Sequence, residues 1–351
     1  MLKIKLTIPG QPKNIDISQF VGSLDNQYKD YKFFVNSGEQ EVDFWFIFED
    51  LPENGETSFV NTKNIFFLTA EACLPYNWFN SNYYDLFFSQ FDKIYTCYPI
   101  YKNNVIPSIP FLPWMINSNH DSIFSKHKRD INFLRKSIIN KKKNISVICS
   151  YKEEAPGHNL RFNFVKKIKE YFGDTLDWYG NGINQVSEKW TAIAPYKYHI
   201  VLENRSDYNF ITEKIYDSFL GNAFPIYWGA PNIDQFFSTK SFAAINILDF
   251  KGSIKIIEDT LKSNLYETRQ KELNVSRELV LTKYNLFSRI TEIAQSNNMS
   301  EGQKSSVHLN SVKHFQKSKK FYYYFSPIKQ INLIARILKK ALNLIIRLTD
   351  K

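Results

Sequence analysis

The chain has 351 residues, and its 45 lysines and arginines outnumber 35 acidic residues, which gives a formal net charge of +10. This length suffices for two domains with separate cores, and no apolar run reaches the ~18 residues that a membrane span needs. The amino end, MLKIKLTIPG, is too short and too polar for a signal peptide, and three widely spread cysteines offer neither a disulfide framework nor a metal cluster. We therefore expect a cytoplasmic protein.

The first 140 residues alternate apolar, strand-like runs with more polar or aromatic helical stretches, which is typical of an α/β domain. The predicted strands are Leu2–Ile8, Val42–Phe48, Ile65–Leu68 and Ile94–Cys97. The third of them runs into Thr69, Ala70 and Glu71, with Pro75 soon after. Glu71 should therefore lie in a turn at the carboxyl end of a strand, where a solvated glutamate is the simplest interpretation.

Residues 126–143 form a strongly basic run, with eight cations against the single acidic residue Asp130. Such a run is compatible with nucleic-acid binding. Apolar residues are interleaved at helical spacing, however, so a solvated helix between two domains is the better interpretation. We place the domain boundary here, with an N-terminal domain over 1–140 and a second α/β domain over 141–295.

The second domain opens with a predicted strand, Ile145–Cys149, a polar loop, and a helix from Leu160 to Phe172. Arg161 falls in the first turn of that helix, again at a carboxyl end of the sheet. His158 precedes it in the loop, and we interpret this histidine as a capping or surface residue.

Residues 199–239 read as strand, polar loop, helix, strand. Thr212 is the predicted N-cap of the helix, so Lys214 and free backbone N–H groups meet at its start, and an anion fits there. Glu213 is suited to accepting hydrogen bonds from sugar hydroxyls. Together the two residues favour a nucleotide sugar, although an ordinary charged first turn would have the same sequence.

The rest of the chain is predicted to be a last strand, Phe242–Ile247, two helices over 253–273 and 275–294, and a flexible linker over 296–326. A final helix over 327–351 has one apolar face and six cations against Asp350, a net charge of +5. A basic amphipathic helix of this kind is typical of a segment that lies on an anionic membrane, and the alternative is a helix docked on the protein itself or on a partner helix.

Two segments of the second domain carry a resemblance to a known family. ENRSDYNFITEK, at 203–214, followed by a helix and FPIYWGAPNI, at 224–233, resembles the donor-binding motif of the family-10 glycosyltransferases, the α-1,3/α-1,4-fucosyltransferases. TAEACLP, at 69–75, is similar to the segment that carries the general base in bacterial members. The chain departs from the family pattern at Asn209 and Phe210, where Asp-Tyr is usual.

The resemblance implies a GT-B-like fold of two facing Rossmann-like α/β domains with a C-terminal helical tail, the first domain binding the acceptor and the second the donor. It implies inverting transfer of L-fucose from GDP-fucose to a hydroxyl of a glycan such as a GlcNAc-containing lipopolysaccharide. Glu71 would be the general base, and no metal or other cofactor is expected, since the sequence has no Asp-x-Asp pair. The implied donor-binding residues are Arg161, Asn204, Tyr208, Phe210, Glu213 and Lys214.

Two alternatives stay open. One is the same fold with a different GDP-linked sugar, which the departure at Asn209 and Phe210 suggests. The other is a basic membrane- or nucleic-acid-binding protein whose donor site is inactive. The first interpretation predicts a nucleotide sugar, a glycan and an anionic membrane as partners, but no nucleic acid, and it places the protein on the inner face of the cytoplasmic membrane.

Overall fold

The structure is a computed structural model. It describes residues 1–70, 82–100, 103–118, 124, 129–151, 156–297 and 302–317. The predicted base Glu71 and the predicted helix over 327–351 lie outside the described residues.

The N-terminal domain is built on a seven-stranded sheet whose pairs are parallel except for a short antiparallel edge. The described strands are β1 (Leu2–Thr7), β2 (Gln27–Tyr28), β3 (Tyr31–Val35), β4 (Phe44–Phe48), β5 (Glu56–Val60), β6 (Ile65–Leu68), β7 (Lys93–Thr96) and β8 (Val105–Pro107). The sheet order is β2-β3-β1-β4-β6-β7-β8. Strand β4 reads FWFIF and is buried throughout, as expected for a central strand covered on both faces. The described helices are α1 (Ser18–Val21), α2 (Asn82–Phe88) and α3 (Ile131–Lys136).

The second domain has a five-stranded, fully parallel sheet in the order β10-β9-β11-β12-β13. Its strands are β9 (Lys143–Ile148), β10 (Leu176–Tyr179), β11 (Tyr196–Leu202), β12 (Phe224–Trp228) and β13 (Ala243–Ala244). Its helices are α4 (Pro156–Phe172), α5 (Lys189–Ile193), α6 (Glu213–Leu220), α7 (Phe250–Lys262), α8 (Leu265–Thr268) and α9 (Gln270–Thr282). Two Rossmann-like α/β sheets are therefore present, and the predicted GT-B-like fold class is confirmed.

Helix α10 (Leu286–Ser296) returns to the N-terminal domain and ties the two domains together. The Nδ2 of Asn285 donates to the carbonyl of Phe20 at 2.7 Å. The guanidinium of Arg289 donates to the carbonyls of Pro110 and Ile109, at 2.6 and 2.8 Å, and lies over the ring of Phe111. A buried cation that is satisfied by carbonyls of the other domain makes this contact specific.

The structure differs from the predicted flexible linker over 296–326. Within that range, Ser305–Leu309 form strand β14, which pairs antiparallel with β5, and Leu309 packs into the second hydrophobic cluster of the N-terminal domain. The linker prediction is therefore wrong for 302–317. Only one face of this strand is covered, so its sequence is mostly polar and resembles that of a linker.

The two long predicted helices are also divided. The first is interrupted after Lys262, where Asn264 takes a left-handed conformation with φ of 48°. The second is interrupted before Leu286, where the side chain of Asn285 caps the N–H of Phe287 at 3.0 Å. In both places an asparagine is the N-cap of a new helix, where apolar periodicity alone would continue the previous one.

The described part of the basic run is largely paired with the protein itself. Arg129 binds Glu188 through both terminal nitrogens, and Arg135 pairs with Glu278 at 3.1 Å. Lys143 pairs with Asp177 at 2.9 Å, and the ammonium of Lys141 donates to two backbone carbonyls. These contacts favour the structural interpretation of the run over a nucleic-acid surface.

Among the helices of the described residues, none is long and apolar enough to cross a membrane.

Candidate active site

The loop between β11 and α6 is closed by a buried carboxylate. Glu203 is 0% exposed and accepts hydrogen bonds from the backbone N–H and the hydroxyl of Thr212, at 2.8 and 2.7 Å. Thr212 is the N-cap of α6, as predicted. Burial raises the pKa of Glu203, with Lys214 acting in the opposite direction. The loop thus begins and ends on one pair of side chains, which fixes the start of α6.

Lys214 lies at this helix start among acceptors. Its Nζ donates to the hydroxyl of Thr212 at 2.9 Å and lies 3.4 Å from Glu203 and 3.6 Å from Glu213. The side chain remains 22% exposed, so its charge is accessible from the carboxyl end of the sheet. This arrangement combines a full positive charge with the positive end of the helix dipole.

Glu213 is buried against Lys189, which comes from helix α5. The Nζ of Lys189 lies 3.2 Å from Oε1 of Glu213 and 2.9 Å from Oδ2 of Asp217. Burial alone would raise the pKa of Glu213, but Lys214 and Lys189 outweigh it and lower the pKa to about 2. Burial also raises the pKa of Asp217, to about 6, although Lys189 opposes this shift. The predicted hydroxyl acceptor is thus an ionised carboxylate inside a charge network.

Arg161 reaches the same strand end from helix α4. It is 9% exposed, and its Nη1 donates to the carbonyl of Leu202, the last residue of β11, at 3.1 Å. Its Nε is buried and has no hydrogen-bond partner among the described residues. A buried guanidinium N–H without a partner is costly, and an anionic ligand would satisfy it.

The start of α4 touches the loop directly. A Cβ added to Gly157 would lie 2.0 Å from the carbonyl oxygen of Asn204, so only glycine allows this approach. Asn204 itself is half-buried. The structure therefore brings Arg161, Asn204, Glu213 and Lys214 together around the end of β11.

The two predicted aromatic residues of the loop lie in different environments. Tyr208 is 67% exposed, whereas Phe210 is 1% exposed and lies inside the domain. Between them, Asn209 has a φ of 62° and exchanges side-chain and backbone hydrogen bonds with Asn232, both at 2.9 Å. The loop is therefore fixed in a shape that presents Tyr208 outward and Phe210 inward.

The loop also lies near the N-terminal domain. Arg205 and Asp207 form an ion pair at 2.6 Å, and the charges of both act on the thiol of Cys97, which follows β7. Burial is the largest influence on that thiol and raises its pKa to about 12. The backbone N–H of Met115, in the segment between the domains, donates to Asp217 at 2.8 Å. Glu71 follows Ala70 just after β6, the neighbour of β7, but lies outside the described residues.

Sequence patterns missed three members of this site: Glu203, Lys189 and Asp217. Glu203 is the first residue of the segment that resembles the family motif, but no role was assigned to it. Lys189 contacts residues 24 and 28 positions further along, which no local pattern reveals. Within the described residues, no group of three or more histidine, cysteine, aspartate or glutamate side chains is arranged to hold a metal ion.

The fold and these charges define an α/β protein with a candidate anion site where the strands of a parallel sheet end. Residues 138–271 match the family described as Glycosyltransferase family 10 (fucosyltransferase) C-term. The family resemblance is therefore confirmed for residues 138–271, which form the part of the chain that is similar to this family.

Individual relatives are more distant. The Alpha-(1,3)-fucosyltransferase FucT of Helicobacter pylori is 33% identical over 104 residues, which cover 30% of this chain and 21% of that protein. The chain thus aligns with about a fifth of that relative's length. A crystal structure of an α1,3-fucosyltransferase with GDP is 17% identical, with 81% of this chain and 92% of that one covered and a TM-score of 0.46. One with GDP-fucose is 19% identical, with 91% and 89% covered and a TM-score of 0.41.

Proposed function

We propose that this protein is an inverting glycosyltransferase that transfers L-fucose from GDP-fucose to a hydroxyl of a glycan. One observation carries the proposal. Two cations, Arg161 and Lys214, reach adjacent residues at the end of β11, one contacting Leu202 and the other Glu203. They flank a capped helix start, and this is an arrangement suited to a nucleoside diphosphate.

Each donor-site residue has a role in this proposal. Arg161 and Lys214 bind the diphosphate and stabilise the charge that GDP gains as it leaves. Glu213 and Asn204 accept hydrogen bonds from ribose or sugar hydroxyls. Tyr208 offers an exposed ring to the ligand, while Phe210 supports the loop from inside. Because the two cations and the helix dipole can neutralise the leaving group, the reaction needs no metal ion.

The chemical step uses Glu71 as general base. Its carboxylate takes the proton of the acceptor hydroxyl while the acceptor oxygen attacks the anomeric carbon on the face opposite the phosphate. The bond from that carbon to the GDP oxygen breaks, GDP leaves with the electron pair, and the configuration at the carbon inverts. Glu71 is assigned from its similarity to the family segment and from its place after β6.

The test is calorimetric titration of the purified chain, without added metal, with GDP, UDP and CMP, followed by assay of GDP-fucose hydrolysis. We expect selective binding of GDP and slow release of fucose. Failure to bind any of the three nucleotides would contradict the proposal.

Substitution of the base tests the chemical step separately. Glu71→Gln should leave GDP affinity nearly unchanged and lower the rate of fucose transfer by about a hundredfold or more, the usual effect of losing a general base. Glu53→Gln, which changes an exposed carboxylate of the same domain, is the control. Normal turnover in Glu71→Gln would remove Glu71 from the mechanism.

The acceptor is proposed to be a glycan of a lipid-linked or lipopolysaccharide type, presented at the inner face of the cytoplasmic membrane. The basic segment 327–351 would bind the anionic surface. Co-sedimentation with vesicles that contain anionic lipid should therefore depend on this segment and on low salt. A chain truncated after residue 317 that sediments as well as the full chain would contradict the membrane role.

The second candidate function is transfer of a different GDP-linked sugar, and the fixed geometry of Asn209 is the observation that favours it. This residue stands where the family usually has Asp, and its amide is held by Asn232. A panel of GDP-linked sugars separates the two candidates, because each predicts a different preferred donor while both predict GDP binding.

A further inference from the structure

Three carboxylates and two ammonium groups meet where α5 and α6 approach the end of β11: Glu203, Glu213, Asp217, Lys189 and Lys214. Within this cluster, α5 contributes Lys189 alone. Lys189 is buried, and its ammonium is shared between Glu213 at 3.2 Å and Asp217 at 2.9 Å. Lys214, the other cation, is shared between Glu203 and Glu213.

Because the cluster is buried, the positive charge of Lys189 is needed to offset the negative charge of the three carboxylates. A buried charge is costly unless it is paired, and like charges at short distance repel each other. Without Lys189, three buried carboxylates would share a single lysine. Glu213 would then gain its proton more easily and lose one of the groups that orient it.

Lys189 also connects the donor site to the segment between the domains. Asp217, its second partner, accepts the backbone N–H of Met115 at 2.8 Å, and the N–H of Trp190 donates to the carbonyl of Ile116 at 2.7 Å. The starts of α5 and α6 and residues 115–116 are therefore held as one unit. The orientation of Lys189 is set from outside the donor loop.

We propose that Lys189 is a positioning residue of the donor site, which holds the Glu213 carboxylate charged and in one orientation so that it can accept a hydrogen bond from a donor hydroxyl. Both lysines approach Oε1 of Glu213, at 3.2 and 3.6 Å, and the proposal assigns Oε2 to that hydroxyl. This inference rests on the proposed function, since it assumes that Glu213 binds a nucleotide sugar.

The charged and titratable groups around Glu213 give the direction of the pH effect. They are Lys189 from α5, Glu203 from the end of β11, and Lys214, Tyr216 and Asp217 from α6. With both lysines in place, the pKa of Glu213 is about 2, so it is ionised throughout pH 5–9. Removing Lys189 leaves burial opposed by Lys214 and by the hydrogen bond with Thr212, so the pKa of Glu213 must rise.

The experiment compares GDP affinity of the full chain and of Lys189→Met by calorimetry between pH 5.5 and pH 8.5. In the unaltered chain Glu213 stays ionised over this range, so it should cause little change in GDP affinity with pH. In the variant, affinity should fall by about tenfold towards pH 5.5, the effect of losing one charge-assisted hydrogen bond, and recover towards pH 8.5. Lys189→Arg should restore most of the pH independence.

Asp217→Asn is the matched control, because it removes the other partner of Lys189 and leaves Glu213 paired with both lysines. It should reduce thermal stability without introducing the pH dependence. If Lys189→Met lowers affinity equally at every pH, Lys189 is only structural and the inference is wrong. If the unaltered chain binds no GDP at all, it is the proposed function that fails.

A double-mutant cycle keeps the inference testable if Lys189→Met folds poorly. With Lys189→Gln as the partner substitution, the loss of GDP affinity should disappear in a Glu213→Gln background, because Lys189 acts through Glu213. Additive losses in the double variant would overturn the inference.

Discussion

The guanidinium of Arg161 is held at one nitrogen and unsatisfied at another. Nη1 donates to the carbonyl of Leu202, whereas Nε is buried without a partner among the described residues. A diphosphate oxygen that accepts from Nε would remove this cost. We therefore expect Arg161→Met to weaken GDP binding by about tenfold to a hundredfold, the range for a lost charged hydrogen bond, as measured by calorimetry.

Two further variants separate charge from geometry at this position. Arg161→Lys keeps the charge but not the planar donors, so its affinity should lie between those of the unaltered chain and of Arg161→Met. Arg135→Met removes an exposed arginine that pairs with Glu278 and should leave GDP affinity unchanged. Unchanged affinity in Arg161→Met would show that the diphosphate binds elsewhere.

Some residues of the candidate site could be predicted from the sequence and others could not. Lys214 stands in the first turn of α6, whereas Arg161, predicted in a first turn, lies in the second turn of α4 because this helix begins at Pro156. Both helices follow strands, so local pattern and the topology of parallel sheets place the two cations at one edge. Lys189 and Asp217 meet only because α5 packs on α6, and neither residue is unusual for its own helix. The charges proposed to bind a ligand can therefore be predicted from local patterns, whereas those that hold them depend on packing between helices.

Among the secondary-structure elements, helix α4 can approach the loop between β11 and α6 closely only because residue 157 is glycine. Within a helix, a change from glycine to alanine normally stabilises by up to about 1 kcal/mol. Here the added Cβ would lie 2.0 Å from the carbonyl oxygen of Asn204, a contact with backbone that cannot rotate away. We expect Gly157→Ala to lower both the Tm and the affinity for GDP, because the loop must move.

Gly38 provides the control for this prediction. A Cβ at Gly38 meets no atom within 4 Å, so Gly38→Ala should change neither property. The two variants can be compared by thermal unfolding and calorimetry in one buffer. Normal GDP affinity in Gly157→Ala would mean that the contact between α4 and the loop is not needed for the site.

Strand β14 is a second element whose contribution can be measured. Leu309 is 2% exposed and packs among the aromatic side chains of the N-terminal domain. Leu309→Ala should lower the free energy of unfolding of that domain by about 2–4 kcal/mol through lost burial and a residual cavity. Ser306→Ala, at an exposed position of the same strand, should have little effect, and an equal loss in both variants would contradict this account.

The same strand shows where element prediction from the sequence ends. Strand β6 was predicted with its observed bounds, Ile65–Leu68, because a buried parallel strand is a continuous apolar run. Strand β14 reads SSVHL and has only one covered face, so its composition resembles that of a linker. Asn264 and Asn285 likewise divide helices through backbone geometry and capping, which apolar periodicity does not register.

At the scale of the whole molecule, the two domains are joined by more than the segment that connects them. Arg289 inserts a buried cation among carbonyls of residues 109–110, and Asp217 binds the backbone of Met115. Both contacts link the N-terminal domain or its exit segment to helices that lie beside the donor loop. A ligand bound at the carboxyl ends of the second sheet therefore lies close to the structural connections between the domains.

The response of the whole molecule to acid should depend on His199, which is buried in β11. The hydroxyl of Ser146 donates to the carbonyl of Ala192 at 2.6 Å, so Nδ1–H of His199 donates to Ser146 at 2.8 Å. Burial, with smaller contributions from Lys189 and Lys141, lowers the pKa of His199 to about 3.

Between pH 6.5 and pH 3 the unfolded chain therefore binds a proton at His199 that the folded chain does not. Folding stability from this residue must fall as pH falls, by up to about 1.4 kcal/mol for each pH unit. Asp217 acts in the opposite direction between pH 3.8 and 6, since its pKa is raised to about 6 and the folded chain holds the extra proton. The two effects partly offset each other in the unaltered protein.

Replacing His199 removes one of these two opposed contributions. His199→Gln should have a lower Tm than the unaltered chain at pH 7.5, because packing is lost. At pH 4.5 this difference in Tm should be smaller, because only the unaltered chain loses stability through protonation of His199. His308→Gln, at an exposed histidine in β14, is the matched control. If the difference in Tm for His199→Gln is the same at both pH values, this prediction is wrong. Such a result would mean that His199 binds its proton equally well in the folded and unfolded chains, which burial of a neutral ring in the second sheet does not permit.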